Sequence, residues 1–119
     1  MQNLPTIKDQ LNSKDLFDAF KVQLIRDFEK CNFPTDFVPA LQPSYSIIHE
    51  KILEELQQSE KRPGFNVMQL LYRVDISESQ LKKYLDEKGN ENHFSVIAEL
   101  VIKRVLQKVV TKQYYRNIE

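Results

Sequence analysis

The chain of 119 residues has the length of one folded domain and is short for two. Leu, Ile, Val and Phe supply 38 of these residues, which excludes a disordered chain without enough apolar material for a core. Lys and Arg together number 17, as do Asp and Glu, so the net charge is zero. The two glycines, Gly64 and Gly89, are too few for the tight turns of an all-β domain and therefore favour helices.

The charge is zero only as an average over the chain. Residues 1–60 carry six basic and ten acidic side chains, a net −4, whereas residues 61–119 carry eleven and seven, a net +4. The two halves could neutralise each other within one fold, pair across a dimer, or present a basic face to an acidic partner.

The first predicted helix begins after Ser13, its expected N-cap, and a short helical turn from Thr6 is expected before it. Its apolar residues recur at spacings of three and four and therefore share one face. They are Phe17, Phe20, Leu24, Phe28 and Cys31.

A proline-rich loop at about 32–43 follows, because Pro34, Pro39 and Pro43 exclude a continuous helix. Its Phe33 and Val38 are too apolar for a solvated linker, so the loop is expected to lie over the core. A second helix is predicted from Ser44 to Glu60, and the Pro63–Gly64 pair ends that region.

The stretch "NVMQLLYRVDISESQLKKYLDEKG" (66–89) predicts two helices joined by a corner. Asn66 with Gln69, and Ser77 with Gln80, have the spacing of capping boxes, and Gly89 is placed to end the second helix. The corner has the apolar spacing of a DNA-reading helix-turn-helix, but Leu71 and Asp75 stand where a small residue and a glycine are usual. We interpret it as a structural corner and expect Leu81 to be buried.

The last helix, at about 94–115, is the longest, and its broad apolar arc predicts either a central helix or one that also serves in a dimer. We expect Val101 and Val105 on this arc to share one core with Leu70 and Leu81. No stretch is apolar and long enough for a membrane span, because charged residues such as Glu99 interrupt the last helix.

Basic side chains follow one side of that last helix at intervals of four. This ladder is either a solvated face near a helix C-terminus or a face for an anionic partner, helped by two lysines of the corner. The candidate residues are Lys103, Arg104, Lys108, Lys112, Arg116, Lys82 and Lys83.

The residues that resemble catalytic or metal motifs lack the partners that those motifs need. The stretch "HEKILEE" has Leu53 where a zinc motif needs its second histidine, so the pattern around His49 does not predict a metal site. Cys31, the single cysteine, permits no intramolecular disulfide and is expected to be a buried, inert thiol in a reducing compartment. We therefore predict no enzyme activity, no cofactor and no metal.

The stretches "NVMQLLYRVDISESQLKKYL" and "IAELVIKRVLQKVVTKQYY" resemble small all-helical proteins of Bacteroidetes-type bacteria, a group with no activity attached to it. The resemblance covers about the last 55 residues. It implies an all-helical fold and a bacterial cytoplasmic origin, and it supplies no functional residues.

The sequence therefore predicts a single all-α domain over 1–119. It is expected to be a compact orthogonal bundle of about five helices with a long, partly central C-terminal helix. The expected function is a cytoplasmic, non-enzymatic interaction module that docks a helical face against a protein partner or a second copy. The alternative is nucleic-acid binding through the basic ladder and the corner; no membrane association is expected.

Overall fold

A computed structural model describes residues 7–89 and 92–118, without the side chains of residues 8, 114 and 116–118. Within those ranges the chain forms helices and no strand, which confirms the all-α class. The helices are α1 (Ile7–Asn12), α2 (Lys14–Glu29), α3 (Tyr45–Ser59), α4 (Val67–Val74), α5 (Glu78–Lys88) and α6 (His93–Ile118). The short turn expected before the first long helix is α1, although Thr6 itself lies outside the described residues.

The long helix α6 lies at the centre of the bundle and packs against all five other helices. Asn92 caps it, because its Oδ1 accepts hydrogen bonds from the backbone N–H groups of Phe94 (2.8 Å) and Ser95 (3.4 Å). Its apolar arc is buried from Val96 to Val109. This confirms the long, partly central helix and shows that the arc is used inside the molecule.

The helix α2 is built as its sequence pattern predicts. Ser13 caps its N-terminus by accepting a hydrogen bond from the Leu16 N–H at 3.4 Å. Its apolar face is buried in the core through Phe17, Phe20, Leu24 and Phe28.

The proline-containing loop after α2 lies over the core, as expected. Phe33, Val38 and Leu41 are buried, and the Phe33 ring stands 5.6 Å from Phe28 and 5.9 Å from Phe65, between ring centroids. The loop therefore ties the end of α2 to the start of α4 through aromatic contacts.

The corner between α4 and α5 has a left-handed residue at its centre. Asp75 has φ 75° and ψ 50°, in the position where a glycine was expected for a helix-turn-helix. A glycine is therefore not needed for this turn, because aspartate tolerates the conformation and Arg104 holds its carboxylate at 2.7 Å. The capping box of Ser77 and Gln80 is confirmed, with both reciprocal bonds at 3.1 Å.

The helix α5 is peripheral, which corrects the expectation for Leu81. Leu70, Val101 and Val105 are fully buried in one cluster, but Leu81 is only half-buried against its edge. The reason is that α5 has no buried residue and packs chiefly on α6, so its apolar side covers the core instead of entering it.

Candidate functional site

The N-terminal part of the basic ladder makes hydrogen bonds within the protein. Lys103 donates to the Tyr84 hydroxyl and to Glu99, both at 3.1 Å, and its Nζ lies 5.1 Å from the Tyr84 ring centroid. Burial lowers the pKa of Lys103, but the hydrogen bonds to Tyr84 and Glu99 outweigh it, so the pKa is raised and the charge is retained. This lysine therefore fastens α5 to α6.

Arg104, the next cation of the ladder, fastens the corner to α6. It donates from Nε to the Asp75 carbonyl oxygen (3.2 Å) and from one terminal nitrogen to the Asp75 carboxylate (2.7 Å). The hydrogen bond from Arg104 holds the pKa of Asp75 below its usual value. The contact explains how the left-handed Asp75 is stabilised at this position.

The part of the ladder nearer the C-terminus of α6 contacts a buried carboxylate on α2. Asp27 is 1% exposed and accepts hydrogen bonds from Lys108 Nζ (3.0 Å) and Gln23 Nε2 (3.1 Å), and the Nε of Arg73 lies 3.9 Å from it. Lys112 donates to Gln23 Oε1 at 2.7 Å. We call these five side chains the polar seam.

The sequence signal for the polar seam is a matched spacing. Gln23 and Asp27 are four apart on α2, and Lys108 and Lys112 are four apart on α6. The pairs Asp27–Lys108 and Gln23–Lys112 run in opposite chain directions, as expected for antiparallel helices. The sequence reasoning considered the cations alone and so missed their partners on α2.

The proposed anionic-partner face is therefore not assembled as one free surface among the described residues. Lys103, Arg104, Lys108 and Lys112 each donate to protein oxygen atoms. Lys82 and Lys83 are exposed on α5, apart from the polar seam, and the Arg116 side chain lies outside the described residues.

A different surface feature runs along α4. Three adjoining depressions of about 470, 650 and 310 Å³ follow the helix. The first two share Tyr72, Ile76 and Ser77. The last two share Asn32, Asn66 and Gln69. We call the three adjoining depressions together the α4 groove.

The α4 groove is edged by two large apolar side chains that the fold leaves in solvent. Tyr72 is 87% exposed and Met68, one turn earlier on α4, is 39% exposed. Tyrosine and methionine are enriched in the cores of protein interfaces, and here the two lie one helical turn apart on the lining of the same depression. The groove thus has the composition of a contact surface.

The residues considered for metal or thiol chemistry have structural contacts. His49 Nε2 lies 2.9 Å from the Ser95 carbonyl oxygen and its ring stacks on Tyr45. Cys31 is half-buried, not buried as expected, and its thiol donates to the Gln69 carbonyl oxygen at 3.4 Å. Burial raises the pKa of Cys31 and prevails over the opposing effect of Arg73. No group of three or more His, Cys, Asp or Glu is placed to hold a metal within the described ranges.

Comparisons with known proteins assign no role to this site. No family model, curated protein or solved structure matches the chain. In the part of the chain that the structure describes, no helix is both long and apolar enough to cross a membrane.

Proposed function

We propose that the protein is a non-enzymatic interaction module that docks a protein partner through the α4 groove. The observation that carries this proposal is the exposure of Tyr72, at 87%, beside the largest of the three depressions. Tyr and Trp side chains at such positions supply much of the binding free energy in protein interfaces.

The apolar arc of α6, the first basis for the interaction hypothesis, gives less support than α4 does. Val101, Ile102 and Val105 are fully buried against other helices, so they offer no area to a partner. Val22 and Tyr115 are also exposed, but Met68 and Tyr72 lie together on the lining of the largest of the three depressions, and this supports α4 as the docking face.

Photo-crosslinking in the native cell tests the proposal. A benzophenone amino acid placed at Tyr72 should give discrete adducts, whereas the same group at Glu50, exposed on α3 and outside the groove, should give none. Adducts at neither position, or the same adducts at both, would refute the proposal. An adduct of twice the protein's own mass, together with a dimer in light scattering, would identify a second copy as the partner.

The alternative is nucleic-acid binding through the basic ladder and the corner. It has less support because Arg104 and Lys108 are engaged with Asp75 and Asp27, and a phosphate would have to compete with those carboxylates. Lys82 and Lys83 remain exposed beside Glu78 and Asp86. A gel shift with mixed DNA and RNA that weakens steeply as salt rises would favour this alternative.

A further inference from the structure

The charges along the α4 groove are unequal. Lys30, Arg62 and Arg73 are exposed cations that line its adjoining depressions of about 650 and 310 Å³, whereas Glu78 is the only acidic side chain that lines this part among the described residues. At the far end the carboxylate of Asp75 is already engaged by Arg104. The part of the groove nearest α2 is therefore positively charged.

Arg73 retains donors for a ligand although it belongs to the polar seam. Its only carboxylate contact among described residues is the 3.9 Å approach of Nε to Asp27, and Asp27 already accepts a 3.0 Å hydrogen bond from Lys108. The terminal nitrogens of a guanidinium can bind a carboxylate with two parallel hydrogen bonds. The Arg73 side chain is 42% exposed, which leaves room for this contact.

The middle of the groove is rich in amide side chains. Asn32, Asn66 and Gln69 are exposed where the second and third depressions meet. Asn32 and Gln69 can both donate and accept through their amides, and Asn66, whose Oδ1 accepts from the Met68 N–H at 3.0 Å, keeps its NH2 group as a donor. This combination matches the unpaired N–H and C=O groups of an extended peptide. A docked helix pairs its own backbone N–H and C=O groups internally, so these amides would not form hydrogen bonds with its backbone.

The geometry points to an extended, acidic peptide segment of a protein partner as the occupant of the α4 groove. One apolar side chain of the segment lies between Met68 and Tyr72, and its carboxylates lie against Lys30, Arg62 and Arg73. The inference rests on the proposed function and specifies the partner's chemistry. It differs from the alternative of nucleic-acid binding, because it uses Lys30 at the end of α2, Arg62 between α3 and α4, and Arg73 on α4, and not the ladder of α6.

Selection from a library of displayed random peptides tests the occupant directly. The full chain serves as bait, and the Tyr72→Ala variant is used to remove peptides that bind elsewhere. Enriched peptides should carry Asp or Glu next to one large apolar residue. Enrichment of basic or charge-free peptides, or no enrichment over the Tyr72→Ala bait, would overturn the inference.

Fluorescence anisotropy with one enriched, labelled peptide supplies the quantitative test. Lys30→Glu should weaken binding by about tenfold or more, because it places a like charge against the ligand. Lys82→Glu, an exposed cation on α5 that lines none of the three depressions, is the matched control and should leave the affinity unchanged. Equal effects of the two variants would overturn the inference; circular dichroism verifies that both are folded.

Two further outcomes separate this inference from the proposed function. Binding of labelled oligo(dT) that competes with the peptide on the unmodified chain, and that is lost in Tyr72→Ala, would assign the groove to single-stranded nucleic acid and overturn the inference. Specific crosslinks at Tyr72 without acidic consensus peptides would leave the interaction module standing and overturn only the peptide chemistry.

Discussion

Asp27 shows how one buried charge can organise a helix junction. Its carboxylate is withdrawn from water on the inner side of α2 and is compensated by Lys108, with Gln23 and Arg73 nearby. A buried carboxylate without such partners would be very costly, whereas in a paired one the attraction between the charges offsets the cost of removing both from water. The stability of this junction therefore depends on the whole set of contacts, and the loss of one partner should destabilise it.

Asp27→Ala should lower the free energy of unfolding by about 3–5 kcal/mol, because it leaves the Lys108 ammonium, 17% exposed, without its carboxylate. Urea denaturation measures the change. The control is Asp18→Ala, which removes an exposed ion pair with Lys14 on the same helix and should have a much smaller effect.

The double change Asp27→Leu with Lys108→Met tests the same junction from the other side. Because it removes both charges and keeps similar volumes, it should recover much of the stability lost in Asp27→Ala. If Asp27→Ala cost no more than Asp18→Ala, the buried pair would not stabilise the fold.

At Glu55, in contrast to Asp27, hydrogen bonds from the described residues do not compensate for the burial of a carboxylate oxygen. Its Oε2 is buried and accepts no hydrogen bond from any described residue, and burial raises the pKa of its carboxyl in spite of nearby Arg62. The folded state therefore binds this proton more tightly than the unfolded chain does. Considered by itself, the ionisation of Glu55 lowers the free energy of unfolding as the pH rises from about 4.5, the ordinary pKa of the group, through its raised pKa in the folded state.

Glu55→Gln should consequently raise the melting temperature at pH 7, since the buried group no longer has to carry a charge. The gain should shrink as the pH is lowered towards 4, where the wild-type carboxyl becomes protonated in both states. Thermal melts followed by circular dichroism across this range provide the measurement. A gain that did not change with pH would show that its origin is not the ionisation of Glu55.

At the scale of elements, the sequence predicted what is local and missed what is distant. The caps at Ser13 and Ser77 and the apolar stripe of α2 depend on residues a few positions apart, so the sequence pattern was sufficient. The partners of Lys108 and Lys112 lie 81 and 89 residues away. They depend on which face of α2 meets α6, and the spacing within one helix does not determine that.

The corner between α4 and α5 gives a test at this scale. Ser77→Ala should cost about 1 kcal/mol, because the Gln80 N–H loses its acceptor. Replacing both Lys82 and Lys83 with Glu should cost no more than about 0.5 kcal/mol per site, as for ordinary surface substitutions. Melting and nucleic-acid retention are measured side by side; loss of retention in a folded lysine variant would identify the corner as a nucleic-acid reader.

At the scale of the whole molecule, the bundle is organised around α6. The class of fold and the long final helix followed from the composition and the 3.6-residue apolar period. The α4 groove did not follow, because it arises where the loop after α2 meets α4 and α5, and no single segment contains its pattern. In the sequence alone, nothing distinguishes Tyr72 from the other aromatic residues.

A pair of aspartate substitutions tests this organisation. Val101→Asp places a carboxylate in the fully buried centre of α6 and should cost several kcal/mol, on the order of the whole stability of a domain. Leu81→Asp should be milder, because the half-buried α5 can turn the new carboxylate towards water. Equal loss of cooperative unfolding in both variants would show that α5 belongs to the core.

The central position of α6 also has a consequence for the order in which the molecule can be assembled during synthesis. The helix that touches all the others is encoded in the last quarter of this sequence. On the ribosome, α2 and α3 emerge well before the surface that will cover them exists. Lys108, the closest cation to Asp27, is made 81 residues later, and until then the charge of Asp27 depends on water, on Gln23 and later on Arg73. The emerging chain therefore carries open apolar faces until α6 has been made, a period in which contacts between neighbouring nascent chains compete with folding.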